Sequence, residues 1–254
     1  MSRIIAVANQ KGGVGKTTTA INLSAALAES GQRVLAVDMD PQGNLSSGLG
    51  ITRKDFDAGT YEMLMGAAAF DNVVKKTETE GLLLLPADMD LSGAEIELLE
   101  MPERERSLKK HLDRIREDFD FILIDCPPSL SLLTINALTA ADAVLVPIQC
   151  EYYALEGLSQ IMNTIELVRK RLNPGLRMEG VVFTMFDTRN NLCRQVVDSV
   201  RGSLHEHIFD TLIPRNVRLA EAPSFGMPIT EYDPRSAGAE SYRLLAAEVI
   251  SRED

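Results

Sequence analysis

The chain has 254 residues, of which 45% are hydrophobic and 25% are charged, as expected for one globular α/β domain spanning 1–254. No apolar run approaches the roughly 18 residues of a membrane span, and the first residues run straight into a strand-like segment, so we expect neither a membrane anchor nor a signal peptide. Three cysteines without a CxxC pair argue against a disulfide framework and a cysteine metal site, and they indicate buried or incidental thiols in a reducing cytoplasm.

The net charge of −11 is unevenly distributed along the chain. Residues 1–168 hold 14 basic and 25 acidic side chains, whereas residues 169–218 hold 9 basic and 5 acidic ones. An acidic total argues against a nucleic-acid partner, but the distribution of charge matters more than its sum. The sequence therefore contains a basic region behind an acidic first part.

Short apolar runs alternate with helical patterns along the chain. The runs lack period-2 alternation, which is typical of parallel strands covered on both faces, and the alternation predicts a doubly wound, mostly parallel sheet with helices on both faces. We predict that 50–79 is an excursion off the sheet. The predicted strands are Ile4–Ala8, Val34–Val37, Leu82–Leu85, Phe121–Ile124, Ala143–Val146 and Val181–Thr184, and the predicted helices are Thr17–Glu29, Leu155–Leu172, Asn191–His205 and Gly238–Arg252.

The segment after the first predicted strand is glycine-rich and leads directly into a helix. Glycines let backbone N–H groups approach an anion, and the helix N-terminus adds its positive dipole end. Lys16 would reach the β- and γ-phosphates, and the Thr17 hydroxyl would ligate Mg²⁺. The residues predicted to bind nucleotide here are Lys11, Gly12, Gly13, Val14, Gly15, Lys16, Thr17 and Thr18.

This loop departs from the standard P-loop at two positions. Gln10 stands where a glycine is usual, and a second lysine, Lys11, follows it. That second lysine either crowds Lys16 or serves another subunit. A dinucleotide-binding fold is the nearest alternative, but Thr18 occupies the place of its third glycine, and Lys16 has no role in such a fold.

Three aspartates follow predicted strands that neighbour the loop. Asp38 and Asp40 stand at the end of the second strand, where a spacing of two on an extended chain can point both side chains to the same side. One of them could instead be a turn residue before Pro41. Asp125 ends another buried strand, the position of a Walker B acid that fixes Mg²⁺.

Arginines in the basic region suit a nucleic-acid surface. Arg194, Arg201 and His205 fall on one helix face, and arginines on helices and loops can contact phosphates without reading bases. These arginines could also balance nearby acids on a solvated face. The candidate DNA-binding residues are Arg189, Arg194, Arg201, Arg215 and Arg218.

These motifs, together with the segments 149–157 and 213–218, resemble those of ParA/Soj-type chromosome-partitioning ATPases of the deviant Walker A class along essentially the whole chain. The resemblance implies a cytoplasmic, nucleoid-associated bacterial ATPase that binds ATP and Mg²⁺ and dimerises. It implies non-specific binding of double-stranded DNA by the ATP-bound homodimer, hydrolysis stimulated by a ParB-like centromere-binding protein, and a role in chromosome or plasmid segregation.

The resemblance also implies roles for individual residues. Lys11 would reach the partner subunit's phosphates, Lys16 and Asp40 would act in hydrolysis, and Asp40 would hold the attacking water. Thr17, Asp38 and Asp125 form the implied metal site, with Asp38 supporting either the Mg²⁺ shell or the loop. Pro214, Arg215 and Asn216 would border the adenine, and Arg189 and Arg218 would contact DNA. Arg215 thus has two possible roles.

Other functions on the same scaffold fit the sequence less well. A membrane-cycling ATPase of the division-site type needs a basic amphipathic tail, and this chain ends in Ile250-Ser251-Arg252-Glu253-Asp254. An iron–sulfur reductase needs cluster-binding cysteines in a glycine-flanked context. A metabolic amide ligase or small-molecule kinase needs an acceptor pocket, for which the sequence has no motif.

Overall fold

The computed structural model describes residues 2–151, 154–204 and 208–252. Eight strands within these ranges form one sheet in the order β3-β4-β2-β5-β1-β6-β7-β8. Each pairing is parallel except that of β3 with β4. The strands are β1 (Arg3–Val7), β2 (Val34–Asp38), β3 (Lys75–Lys76), β4 (Leu82–Leu85), β5 (Phe121–Asp125), β6 (Ala143–Gln149), β7 (Arg177–Phe186) and β8 (Ile208–Pro214).

Helices cover both faces of the sheet. Two buried hydrophobic clusters lie on opposite faces, one including Ile4 and Ile122, the other Ile5 and Leu123. This arrangement confirms the predicted doubly wound α/β fold. The helices are α1 (Lys16–Glu29), α2 (Asn44–Gly48), α3 (Thr60–Leu64), α4 (Phe70–Val73), α5 (Leu91–Glu97), α6 (Ser107–Ile115), α7 (Leu132–Ala140), α8 (Ala154–Arg171), α9 (Asn191–Ser203), α10 (Val217–Glu221), α11 (Ile229–Tyr232) and α12 (Ala237–Ser251).

The predicted strands are all present, and two further strands join them. The two further strands are the short β3 and the outermost strand β8, whose apolar pattern is interrupted by polar residues. The prediction for 50–79 was wrong at its end, where Lys75–Lys76 pairs with β4 and extends the sheet. The predicted helix Asn191–His205 ends at Ser203, and His205 lies outside the described residues.

Among the described residues, no helix combines the length and apolarity that crossing a membrane requires. The last helix, α12, packs its apolar side against α1 and the sheet, with Tyr242, Leu245 and Val249 buried. Because β1, β2 and β5 are parallel neighbours, the loop before α1 and the residues that end β2 and β5 lie together at the carboxyl ends of these strands.

Candidate functional site

The glycine-rich loop between β1 and α1 is shaped by two glycines in the left-handed region. Gly13 has φ +75° and Gly15, which precedes the first residue of α1, has φ +86°. Side chains are disfavoured in this conformation, so glycine is the residue these positions require. The loop carries the start of α1 to the sheet edge, where its free N–H groups can bind an anion.

The two lysines of the loop are held in different ways. Lys16 is buried, and its Nζ donates to the carbonyl oxygen of Lys11 at 3.0 Å. Burial lowers the pKa of the Lys16 amine, while the charges of Asp125 and Asp40 oppose that effect. Lys11 instead lies at the surface, where its Nζ forms an ion pair of 2.6 Å with Glu151. Lys16 is therefore fixed inside the site, and Lys11 is held at its rim.

Side chains before the glycines attach the loop to β6 and α8. Asn9 Nδ2 donates to the carbonyl oxygen of Pro147 at 2.8 Å, and Gln10 Nε2 donates to Thr164 Oγ1 at 2.7 Å. Gln10 therefore does more than replace a P-loop glycine, because its amide anchors the loop to α8.

The carboxylates after β2 and β5 are aligned by strand register. Asp38 pairs with Asp125 across the two parallel strands, and Val7 of β1 pairs with Asp125 on its other side. Both aspartates are completely buried. Burial raises the pKa of Asp38 to about 7, although hydrogen bonds from Ser46 counteract the shift.

Asp38 has a full set of hydrogen bonds to the segment that follows it. It accepts from Ser46 Oγ at 2.7 Å, from Ser46 N at 2.9 Å and from Asp40 N at 3.1 Å. Asp38 therefore holds the loop between β2 and α2 in place. The sequence left two roles open for Asp38, supporting the Mg²⁺ shell or supporting the loop. This geometry favours support of the loop.

Asp125 differs from Asp38 because its oxygens are unpaired. Neither carboxylate oxygen has a hydrogen-bond partner among the described residues. Burial raises its pKa well above the ordinary value, the charge of Asp38 adds to the rise, and the nearby Thr17 hydroxyl and Lys16 lower it. A buried carboxylate without partners is costly, and the water shell of a cation would satisfy it. The chemistry of Asp125 and Thr17 thus fits Mg²⁺.

Asp40 lines a cavity at the carboxyl ends of the strands, which has a volume of about 590 Å³. Its carboxylate accepts a hydrogen bond of 3.0 Å from the backbone N–H of Gln42, and it remains able to bind a further donor such as water. The cavity is lined by Gly12, Gly13, Gly15, Lys16, Thr17, Thr18, Asp40, Pro41, Gln42, Asn44, Ser92, Glu95, Pro127, Pro128, Ser129, Leu133 and Met185. Its size is that of a small-molecule site.

A second cavity, of about 380 Å³, adjoins the first. The two share Gly15, Thr18 and Met185 as lining residues, so together they form a continuous cleft across the start of α1. The second cavity is lined by Gly15, Thr18, Thr184, Met185, Ile213, Pro214, Arg215, Asn216, Val217, Leu219, Ala220 and Tyr242. The segment Pro214 to Asn216 therefore lies beside the glycine-rich loop, although it is distant in sequence.

Several residues of the site were not predicted from the sequence. Ser46 bonds Asp38, Glu151 pairs with Lys11, and Thr184 Oγ1 donates to the carbonyl oxygen of Val14 at 2.8 Å. Met185, with φ +51°, lines both cavities. A non-glycine residue in the left-handed region is uncommon and was a signal visible only in the structure.

The predicted DNA-binding arginines are exposed, and most are held by nearby oxygens. Arg189 forms a two-point ion pair with Asp187, with N···O distances of 3.0 and 2.9 Å. The guanidinium of Arg189 holds the pKa of Asp187 at about 2, and the charge of Arg215 also lowers it. Arg189 and Arg215 therefore both lie near the carboxylate of Asp187, the residue that follows β7.

The other predicted arginines lie on α9 and α10. Arg194 donates to the carbonyl oxygen of Thr188 at 2.7 Å, and Arg201 lies 3.9 Å from Asp210. Arg218 pairs with Glu221 at 2.9 Å. Since α9 buries Cys193, Val196, Val197 and Val200, Arg194 and Arg201 occupy its solvent face. Arg215 alone of the five predicted arginines also borders the nucleotide-sized cleft.

The cysteines are buried, as predicted. Burial raises the pKa of Cys126, and it raises that of Cys150 to about 12. Such thiols are inert because the thiolate is the reactive form. The described residues contain no group of three or more His, Cys, Asp or Glu side chains placed to hold a metal ion by themselves.

Sequence comparisons identify a matching family model and whole-length relatives. Residues 2–178 match a family model described as an AAA domain. The chain is 56% identical to "Sporulation initiation inhibitor protein Soj" of Bacillus subtilis, over 99% of both chains. It is also 56% identical to "Chromosome partitioning protein ParA" of Caulobacter vibrioides, over 99% of this chain and 95% of that one.

Two solved structures share the fold at substantial identity. One is cobyrinic acid a,c-diamide synthase from Mycobacterium smegmatis with bound ADP and magnesium, at TM-score 0.86 and 41% identity, covering 98% of this chain and 94% of that one. The other is the cell division ATPase MinD of Pyrococcus furiosus, at TM-score 0.82 and 30% identity, covering 100% of both. With whole-length relatives at 56% identity, the chain belongs to the ParA/Soj family of chromosome-partitioning ATPases.

Proposed function

We propose that this chain acts as one domain that binds ATP with Mg²⁺ and hydrolyses the ATP to control its binding to DNA. The observation that carries the proposal is the meeting of buried Lys16, unpaired Asp125 and cavity-facing Asp40 around the loop before α1. A cation, an unsatisfied acid and an acid open to water are what phosphoryl transfer to water requires.

The nucleotide would lie along the cleft formed by the two cavities. Its phosphates would face the N–H groups from Gly12 to Thr18 and the Lys16 amine, and its base would lie near Pro214, Arg215 and Asn216. Thr17 and Asp125 would hold Mg²⁺, which would neutralise charge that develops on the phosphates. Asp38 would keep Asp40 in position through the hydrogen bond from Asp40 N.

Asp40 would orient the water that attacks the γ-phosphate. Lys11 would complete the site of the partner subunit. Its position at the rim of the cavity, rather than inside it, supports this role. In the single chain the Lys11 amine is bound to Glu151, so dimerisation would exchange that partly exposed ion pair for contacts to the partner's nucleotide.

DNA binding would use the exposed arginines of the basic region. Arg189, Arg194, Arg201, Arg215 and Arg218 would contact phosphates, and a dimer would present the set twice, which favours binding by the ATP-bound form. Duplex DNA would therefore be bound without sequence preference at the nucleoid. A ParB-like centromere-binding protein would stimulate hydrolysis and so release the DNA, driving segregation.

Two alternatives receive less support. A membrane-cycling role of the MinD type needs a free amphipathic helix, whereas α12 buries its apolar side against the domain. An amide synthase that takes ammonia from glutamine with a cysteine nucleophile would need a reactive thiol, whereas all three cysteines of this chain are buried.

Turnover of Mg²⁺-ATP by Asp40→Ala tests the hydrolytic part of the proposal. The variant should bind ATP like the wild type and hydrolyse it roughly 100-fold or more slowly, because the water loses its orienting carboxylate. It should also remain dimeric longer after ATP addition, as seen by size-exclusion chromatography with light scattering. Asp71→Ala is a control on α4. Unchanged turnover in the Asp40 variant would contradict the proposal.

A further inference from the structure

An apolar stripe lies uncovered along residues 89–99, which span the turn before α5, α5 itself and the 3-10 turn that follows it. Met89, Ile96 and Leu99 are 61%, 73% and 56% exposed, and Ser92 stands between them in the same 3-4-3 spacing. That spacing places four side chains on one helix face. The opposite face, with Leu91, Ala94 and Leu98, is completely buried, so the segment is fixed to the domain with its apolar stripe outward.

The stripe begins at the mouth of the nucleotide-sized cleft. Ser92 and Glu95 line the same cavity as Asp40. Met89 Sδ accepts a hydrogen bond of 3.7 Å from Gln42 Nε2, and the backbone N–H of Gln42 donates to Asp40. A partner that covers the stripe at Met89 would therefore lie beside Gln42, in the loop that holds the proposed water-orienting carboxylate.

The surroundings of the stripe are acidic. From Asp88 to Glu100 the chain has five acids and no base. Arg53 pairs with Asp88 and Asp90, whereas Glu95, Glu97 and Glu100 form no ion pair within the described part of the chain. Two copies of this surface facing each other would bring like charges together, which opposes self-association through it. A segment with basic side chains would instead be attracted.

We propose that the face formed by Met89, Ser92, Ile96 and Leu99 is the docking surface for a basic amphipathic helix of a partner protein. The partner's apolar side chains would cover the stripe at helical spacing, and its Lys or Arg side chains would pair with Glu95, Glu97 and Glu100. This inference rests on the proposed function, since the docked helix would act on hydrolysis through Met89, Gln42 and the Asp40 loop.

The experiment uses the full-length chain and the full-length ParB-like protein of the same organism as probe. Ile96→Ser with Leu99→Ser should lower the partner's affinity by roughly tenfold or more and abolish its stimulation of turnover, because apolar anchors dominate such interfaces. Basal turnover and ATP-dependent dimerisation should stay at wild-type values. Leu167→Ser with Leu244→Ser, which removes exposed leucines from α8 and α12, is the matched control and should be stimulated normally.

Charge reversal tests the chemistry of the partner separately. Glu100→Lys should weaken partner binding and make the affinity less dependent on salt, since one attractive charge is replaced by a repulsive one. Binding and stimulation at wild-type levels in both variants would overturn the proposal, as would a partner that fails to stimulate the wild type. Loss of ATP-dependent dimerisation in the Ile96/Leu99 variant would show a second copy on the stripe and overturn it too. Only the absence of basal ATP turnover in the wild-type protein would count against the proposed ATPase activity itself.

Discussion

The nucleotide cleft and the arginine surface are organised differently. At the cleft, Lys16, Asp38 and Asp125 are buried and their positions are set by strand register and by α1. On the arginine surface, Arg189 is 88% exposed and pairs with Asp187, its near neighbour in sequence. A buried site is already formed in one chain, whereas exposed ion pairs contribute about 0–1 kcal/mol and can be exchanged for a ligand. ATP binding should therefore depend on single residues, and DNA binding on several.

The largest expected effect is that of Lys16→Ala on ATP affinity. The amine is buried beside Asp125 and Asp40, and its loss removes the only cation of the loop that lies inside the cavity described here. We expect ATP binding to weaken roughly 100-fold or more, about 2.7 kcal/mol, in a fluorescent-nucleotide titration. Lys54→Ala, an exposed lysine outside the cleft, is the control. Wild-type affinity in the Lys16 variant would invalidate the placement of the phosphates.

The double variant Arg189→Ala with Arg218→Ala tests the other side of the comparison. Both side chains are exposed, so their removal should leave ATP affinity unchanged and reduce DNA affinity. Each lost phosphate contact should lower the salt dependence of binding by about one in log–log slope. Arg33→Ala, which removes an exposed arginine paired with Asp120, is the control. Retention of DNA affinity would place the DNA surface elsewhere.

Glu151→Gln should have a smaller effect, because the ion pair with Lys11 is partly exposed. Without that pair the Lys11 amine is released toward a partner subunit. We expect ATP-dependent dimerisation to strengthen by up to about fivefold, measured by analytical ultracentrifugation. Glu156→Gln on α8 is the control. A weaker dimer would mean that Glu151 supports the dimer instead of competing with it.

The smallest expected effect concerns the titration of Asp187. Arg189 holds its pKa at about 2, so replacing Arg189 by Ala should raise the pKa toward the ordinary value of about 3.9. The rise should be incomplete because the backbone N–H of residue 189 still donates to the carboxylate. Carboxyl-carbon NMR during an acid titration measures the shift, and an unchanged pKa would show that the pair does not persist in solution.

The sequence predicted the parts of the structure that local pattern determines. Buried strands such as Leu82–Leu85 and the loop from Lys11 to Thr18 are recognisable because apolar runs and glycines act locally. The bounds of β8 could not be predicted, because polar residues interrupt its apolar run. The Lys11–Glu151 pair and the cleft-lining position of Met185 join residues more than 100 positions apart, which no local pattern reveals.

The exposed apolar stripe from Met89 to Leu99 could not be predicted from the sequence either. Its spacing is visible in the sequence, but Met89, Ile96 and Leu99 could equally have been core residues. Only the burial of Leu91, Ala94 and Leu98 shows which face points outward.

Binding of duplex DNA with and without ATP at one defined salt concentration tests the central claim most directly. The claim is that a nucleotide cleft, whose buried residues are already in place in one chain and which Lys11 of a partner subunit completes, controls an arginine surface that is effective only when doubled. Fluorescence anisotropy with a labelled duplex of arbitrary sequence should show tight binding with Mg²⁺-ATP and at least about tenfold weaker binding with ADP or no nucleotide. Equal affinity in all three conditions would contradict the account.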